Sequence, residues 1–210
     1  MSKSTSKPCT CLNPFCAQIA PEVRTHLCDV CTSVHYGKYK RLYVPTYNPR
    51  LFIIKEGLAV QKIVLPNGKQ FGLSFDGPGC ALGTFFGTPL TDPFPHKSSF
   101  SEVLQPVRGG LISVADARSL ADRFPVLTNL FLKNMESNLA RMIDFSYHLA
   151  LPDSVDKIVY VLKHLKSQGI GLDELTHEDI ASLLNMNRVT VTKTMRAALA
   201  RLDDGEAGSV

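Results

Sequence analysis

Hydrophobic positions change their period twice along the chain, and each change marks a change of secondary structure. From about Lys38 to Val114, short apolar runs alternate with Gly- and Pro-rich breaks. Leu51–Ile54, Leu58–Val64, Lys69–Phe75, Ala81–Phe86, Phe100–Val107 and Leu111–Val114 read as strands. Pro66-Asn67-Gly68 closes a hairpin, because Asn-Gly tolerates the positive φ angles of a tight turn, and Gly77-Pro78-Gly79 makes another turn. Short strands at this spacing predict a small barrel or roll rather than a parallel sheet. Upstream, Pro21–Val34 has helical spacing. Pro21 suits the first turn, Glu22 favours the N-terminal dipole, and Val23, Leu27, Val30, Cys31 and Val34 form the apolar stripe.

After Asp116 the period becomes helical. A short helix runs to Phe124, and Pro125 opens a long one that reaches Leu149. Leu132, Met135, Leu139, Met142, Ser146 and Leu149 step by three and four alternately, a heptad seam that predicts pairing with a second copy of the chain. Leu127, Phe131, Ile143 and Phe145 lie on its other faces and predict packing on the roll. Leu151-Pro152-Asp153 ends this helix. Val155–Leu165 is the next, burying Val155, Ile158, Val159, Leu162 and Leu165, and Gly169 and Gly171 stop it.

Two helices joined by a tight turn follow. Thr176 caps the first, and Asp179 stands where a capping box has its acid. Ile180 and Leu184 face inward, and Ala181 is small enough for a close helix crossing. Asn185 accepts the left-handed backbone of the turn, Met186 plugs the core beneath it, and Asn187 caps the second helix. Val191, Met195, Ala198, Leu199 and Leu202 form that helix's buried stripe. Arg188, Val189, Thr192, Lys193 and Arg196 then point outward, with Thr190 beside them. This is a helix-turn-helix whose second helix enters the major groove. Arg188 and Lys193 suit guanine O6 and N7, and Thr190 and Thr192 suit phosphates or a thymine methyl.

The formal net charge of +4 is too small to argue for a polyanion by itself. Its distribution does: Arg188, Lys193, Arg196 and Arg201 share one segment without an acid. No apolar run approaches the ~20 residues needed to cross a bilayer, and the first eight residues lack the apolar core of a secretory signal. A cytoplasmic protein with no membrane partner is expected. There is no Gly-rich phosphate loop and no triad or paired-carboxylate pattern, so no enzymatic activity is expected. The alternative from another class is a cysteine-based redox enzyme, since Cys28-Asp-Val-Cys31 has thioredoxin-type spacing without the βαβ context.

The stretch from Leu175 to Met195 resembles the helix-turn-helix of Crp/Fnr-type regulators, and Arg188-x-Thr-Val-x-Lys193 resembles their recognition helix. The resemblance implies an α+β fold: an N-terminal β-roll of the cyclic-nucleotide-binding jelly-roll type, a long dimerisation helix, and a C-terminal helix-turn-helix domain. The boundaries expected are 1–20 for a cysteine-rich arm, 21–124 for the roll, 125–150 for the dimerisation helix and 151–210 for the DNA-binding domain. It further implies a homodimer on palindromic double-stranded DNA that contacts RNA polymerase, with Arg188, Val189 and Lys193 facing base edges; Thr176, Thr190, Thr192 and Arg196 complete the residues expected at the DNA. Many members carry an Arg-Glu pair where this chain has Arg188-Val189. The roll lacks the arginine that holds a cyclic nucleotide's phosphate, so cyclic AMP is not the expected ligand. After Leu202 no wing strands follow.

Five of the six cysteines lie between Cys9 and Cys31, and the sixth is Cys80. In a reducing compartment such a cluster points to metal or redox chemistry, and thiolates favour iron–sulfur clusters or zinc. Oxygen- and nitric-oxide-responsive relatives hold a [4Fe-4S] cluster on three arm cysteines and one distant one. By that resemblance the expected ligands are Cys9, Cys11 and Cys16 with one of Cys28, Cys31 or Cys80. Cys28 is favoured because it points off the apolar stripe. Zinc, a thiol–disulfide switch, and haem on His35, His96 or His148 stand as alternatives. The arm has too few apolar residues for a core of its own, so a metal is expected to order it.

Overall fold

A computed structural model describes residues 13–42, 50–83, 99–171, 173 and 175–207. They fall into two compact units. The first takes its residues from Met1–Ala59 and Asp76–Leu139, the second from Val60–Phe75 and Ala140–Val210.

The first unit starts with two helices, α1 (Pro14–Ala17) and α2 (Pro21–Val30). Its strands are β1 (Thr32–Tyr36), β2 (Arg41–Leu42), the first part of β3 (Arg50–Val64), β5 (Ala81–Leu82) and β6 (Ser99–Ser113). Helix α3 (Val114–Arg123) and the first half of α4 (Val126–Ala150) complete it. The sheet order is β1-β6-β3-β4, where β4 is Gln70–Asp76; β2 also pairs with β6 and β5 with β3. The pairings of β1 and β2 with β6, and of β5 with β3, are antiparallel.

Strand β3 is buried on both faces, which is why Leu51–Ile54 is an unbroken apolar run. Leu51 and Ile53 pack with Phe15, Leu27, Ile112 and Phe131. Phe52 and Ile54 point the other way, to Ala59, Cys80, Val103 and Val107. The sequence divides β3 at Gly57, and the structure does not. Gly57 has φ +88°, and a Cβ there would sit 2.1 Å from the Pro106 carbonyl oxygen, so the glycine lets one strand run on where any other residue would break it. Gly109-Gly110 likewise lies within β6 rather than between two strands. A Cβ on Gly109 would meet the Ile53 carbonyl oxygen at 2.3 Å, so this glycine serves the close approach of β6 to β3.

Helix α2 is shorter than its periodicity predicts. Val23 and Leu27 are buried and Val30 and Cys31 lie half-buried against the same core, but Cys31 is extended at φ −84°, ψ 128°. Val34 belongs to β1, opposite Gly109. The β-branched Thr32 and Val34 favour that switch to strand. Helix α3 begins two residues earlier than the expected Asp116, because the Ser113 hydroxyl accepts the Asp116 N–H at 3.0 Å. The expected turns are present: Gly68 (φ +80°) closes the β3–β4 hairpin, and Gly79 (φ +91°) turns the chain toward Cys80. The outer part of the expected strand Ala81–Phe86 lies outside the described residues.

Residues 13–19 are held by a helix cap and by core packing. Asn13 caps α1 by accepting the Phe15 N–H at 2.7 Å and donates to the Ile54 carbonyl at 2.5 Å. Phe15, Cys16 and Ile19 are buried in the unit's core.

The second unit holds the hairpin of β3 and β4, the end of α4, α5 (Ser154–Ser167), α6 (His177–Leu184) and α7 (Arg188–Ala207). Asp153 caps α5 by accepting the Val155 N–H at 2.8 Å, and Gly169 at φ +70° follows its end. Ile158, Val159, Val161, Leu162 and Leu165 are buried on α5, whereas Val155 is only half-buried. Among the described residues no strand follows α6; α7 continues as helix to Ala207.

Candidate nucleic-acid interface

The geometry of α6 and α7 follows from local rules. Thr176 Oγ1 accepts the Asp179 N–H at 3.1 Å, and the Thr176 N–H donates to Asp179 Oδ2 at 2.9 Å, so both halves of the capping box form. Asn185 takes φ 50°, ψ 41°, the left-handed conformation, and the Met186 N–H closes the turn on the Ala181 carbonyl at 2.9 Å. The Val189 N–H donates to Asn187 Oδ1 at 2.9 Å and so caps α7.

Burial then decides which face of α7 is presented. Ile180, Ala181, Leu183 and Leu184 of α6 and Val191, Ala198 and Leu202 of α7 are buried. Arg188, Val189, Thr192, Lys193 and Arg196 are exposed, and Thr190 is half-buried. Four readings of the sequence need correction. Met186 and Met195 are half-buried, and Leu199 is exposed, because the inward face of α7 follows the spacing Val191, Ala198, Leu202. Arg201 is not part of the basic face: it pairs with Asp156 at 2.5 Å and Asp153 at 3.7 Å and ties α7 to α5.

Two contacts had no sequence signal. His177, the first residue of α6, is hydrogen-bonded through Nδ1 to Thr192 Oγ1 at 3.0 Å, which ties α6 to the exposed face of α7. Lys62, almost fully buried on the hairpin, donates from Nζ to Ser182 Oγ on α6 at 3.1 Å. Gly72, also on the hairpin, lies where a Cβ would come 2.9 Å from the Phe145 ring and 3.2 Å from the Leu183 carbonyl oxygen.

An aromatic cluster fills the same unit. Phe75 stacks on His164 at 4.7 Å and meets Phe145 edge-on at 5.3 Å. The Tyr160 hydroxyl donates to Asp144 Oδ2 at 2.7 Å, and His148 stacks on the Tyr160 ring at 3.8 Å. Burial lowers the pKa of His164, Arg141 lowers it further, and Asp144 opposes both. Burial and the bonded Asp144 carboxylate raise that of Tyr160.

Helix α4 exposes Leu132, Met135, Leu139, Ile143 and Tyr147. The expected seam positions Met142 and Leu149 are half-buried, and Ile143, expected to pack on the roll, is open to solvent. Leu127, Phe131 and Phe145 are buried as expected.

The described cysteines are not gathered into one ligand set. Cys16 is buried in the core of α1 and α2, with Cys31 against the same core, while Cys80 lies in the other apolar cluster. Cys16, Cys31 and Cys80 are thiols, and Cys28 is disulfide-bonded. Cys9 and Cys11 lie outside the described residues, as does His96. His35 is exposed on β1, and His148 belongs to the aromatic cluster. Among the described residues no three His, Cys, Asp or Glu side chains are grouped to hold a metal ion. Among the described cysteines no four thiolates stand together.

No family model matches the chain, and no curated protein matches it. Solved structures do. A crp/fnr-family protein from Eubacterium rectale ATCC 33656 superposes with a TM-score of 0.67 at 14% identity, covering 90% of this chain and 87% of its own. The c-di-GMP-responsive global regulator CLP of Xanthomonas campestris gives 0.64 at 13% identity, covering 87% and 93%. The chain has the Crp/Fnr fold. A third Crp/Fnr structure, a transcriptional regulator from Thermus thermophilus, gives 0.61 at 21% identity over 81% of this chain and 86% of that one. The Crp/Fnr fold accounts for the antiparallel roll and the helical C-terminal part together. No helix among the described residues is long and apolar enough to cross a membrane.

Proposed function

We propose that the chain is a homodimeric transcriptional regulator of the Crp/Fnr type that reads double-stranded DNA with α7. One observation carries this reading: the capped N-terminal half of α7 holds Arg188, Thr192, Lys193 and Arg196 exposed while Val191 and Ala198 anchor its other side. The exposed apolar stripe on α4 supports pairing of two copies, which would match a palindromic site. RNA polymerase is the further partner proposed. Selection of bound sites from random duplex DNA by the full chain tests the function. Arg188→Ala should weaken binding to the selected site by about 1–3 kcal/mol and relax one position per half-site. Equal loss on random DNA would remove Arg188 from base reading.

The signal is assigned to the cysteines. The Cys28 disulfide supports a thiol–disulfide switch. The competing chemistry is a [4Fe-4S] cluster on Cys9, Cys11, Cys16 and Cys28, which would supply an oxygen- or nitric-oxide-sensitive group. It needs Cys28 reduced and Cys16 withdrawn from the core. Anaerobic reconstitution with iron and sulfide analysis separates the two. A brown protein that Cys16→Ser turns colourless supports the cluster. A colourless protein whose DNA affinity follows the thiol redox potential supports the switch.

A further inference from the structure

The first turn of α7 exposes an apolar side chain beside its charges. Val189 is 57% exposed, one residue from Arg188 and one turn from Lys193. Nothing in the helical core needs it, since Val191 and Ala198 are the buried positions. Its amide is held by the Asn187 cap at 2.9 Å, so the first turn that carries it is fixed. Its branched side chain has few rotamers to lose on contact.

A helix entering the major groove here is guided by the positive charge of Arg188, Lys193 and Arg196 around this valine. The groove edge then meets an isopropyl group that neither donates nor accepts a hydrogen bond. Of the four bases only thymine offers an apolar group there, its C5-methyl. Opposite guanine or cytosine the same valine would cover acceptors or a donor and leave them unpaired, so it also selects against those bases. We infer that Val189 is a specificity-determining residue that reads a thymine methyl in each half-site, next to the base read by Arg188. This rests on the DNA-reading function proposed above.

Exchange of thymine for deoxyuridine tests it, because uracil keeps every hydrogen-bonding group and lacks only the methyl. The full chain first selects a site from random duplex DNA. Each half-site should contain a fixed thymine. Its replacement by deoxyuridine on both half-sites should weaken binding about four-fold per half-site, the worth of one buried methyl. Val189→Ala should lose a comparable factor on the thymine site and become indifferent to the exchange. Val189→Glu should shift the selected base from thymine toward cytosine, whose N4 amine can donate to a carboxylate. A wild-type chain that binds both sites equally, or a Val189→Ala chain that keeps the full exchange effect, overturns this inference and leaves DNA reading intact. A chain that selects no site overturns the proposed function and this inference with it.

Discussion

At the scale of single residues, features fixed by near neighbours are the ones the sequence makes readable. Thr176, Asn185 and Asn187 act on backbone groups within a few positions, so residue type and spacing suffice to assign them. The bonds His177–Thr192 and Lys62–Ser182 span 15 and 120 positions, and no local pattern marks them. Asn185 can be tested directly. Asn185→Gly should leave stability near that of the parent, whereas Asn185→Val should cost about 1–2 kcal/mol, since a branched residue is strained in the left-handed region. Urea unfolding followed by circular dichroism reads the difference. His164 makes a second test. Its folded pKa is lowered, so the folded state binds fewer protons than the unfolded state near and below the ordinary value of 6.5. Its contribution is complete above about pH 6.5 and is lost as pH falls through the lowered folded value. His164→Phe should keep the stack on Phe75 and flatten the acid limb of stability. An unchanged slope between pH 7 and 5 would assign that limb to other groups.

At the scale of elements, the sequence marks what each segment is more surely than where it stops. Leu51–Ile54 and Leu58–Val64 read as separate strands because Gly57 looks like punctuation. It is instead the residue that keeps β3 continuous under Pro106. Helix α4 shows a different limit. A strict heptad places Met142, Ser146 and Leu149 on the seam, yet the exposed apolar positions after Leu139 are Ile143 and Tyr147. A straight helix drifts ~20° per heptad from a 3.5-residue repeat, and this moves the stripe by one residue. Leu139 lies on both versions and is 59% exposed. With the pairing proposed above, Leu139→Asp should leave the folded chain intact and give monomers in sedimentation, with affinity for the selected DNA site falling in parallel. A variant that stays dimeric would move the pairing surface off α4.

At the scale of the whole molecule, the order of roll, long helix and paired helices was legible because each has its own period. The cysteines were legible only as an inventory. Soft ligands at close spacing point to metal or redox chemistry, but nothing local reveals that Cys16 is core while Cys80 faces a different cluster. The use of the hairpin was equally hidden, since Val60–Phe75 reads as a plain β-turn-β and carries no sign that it joins the helical unit.

That membership bears on how the protein can be taken apart and recombined. Cutting at the Leu151-Pro152 break yields a C-terminal fragment without Lys62, Gly72, Phe75 and Phe145. Ser182 then loses its ammonium partner, and the apolar surface beneath the hairpin meets water. Such a fragment should be aggregation-prone at concentrations where the parent is not, and light scattering on the two would show it. A chimaera that grafts this helical unit onto another roll should behave better if the graft brings its own Val60–Phe75 ribbon, inserted into the host's roll. The portable piece of this protein is thus discontinuous in sequence, and its heritable unit of exchange is larger than the helix-turn-helix alone.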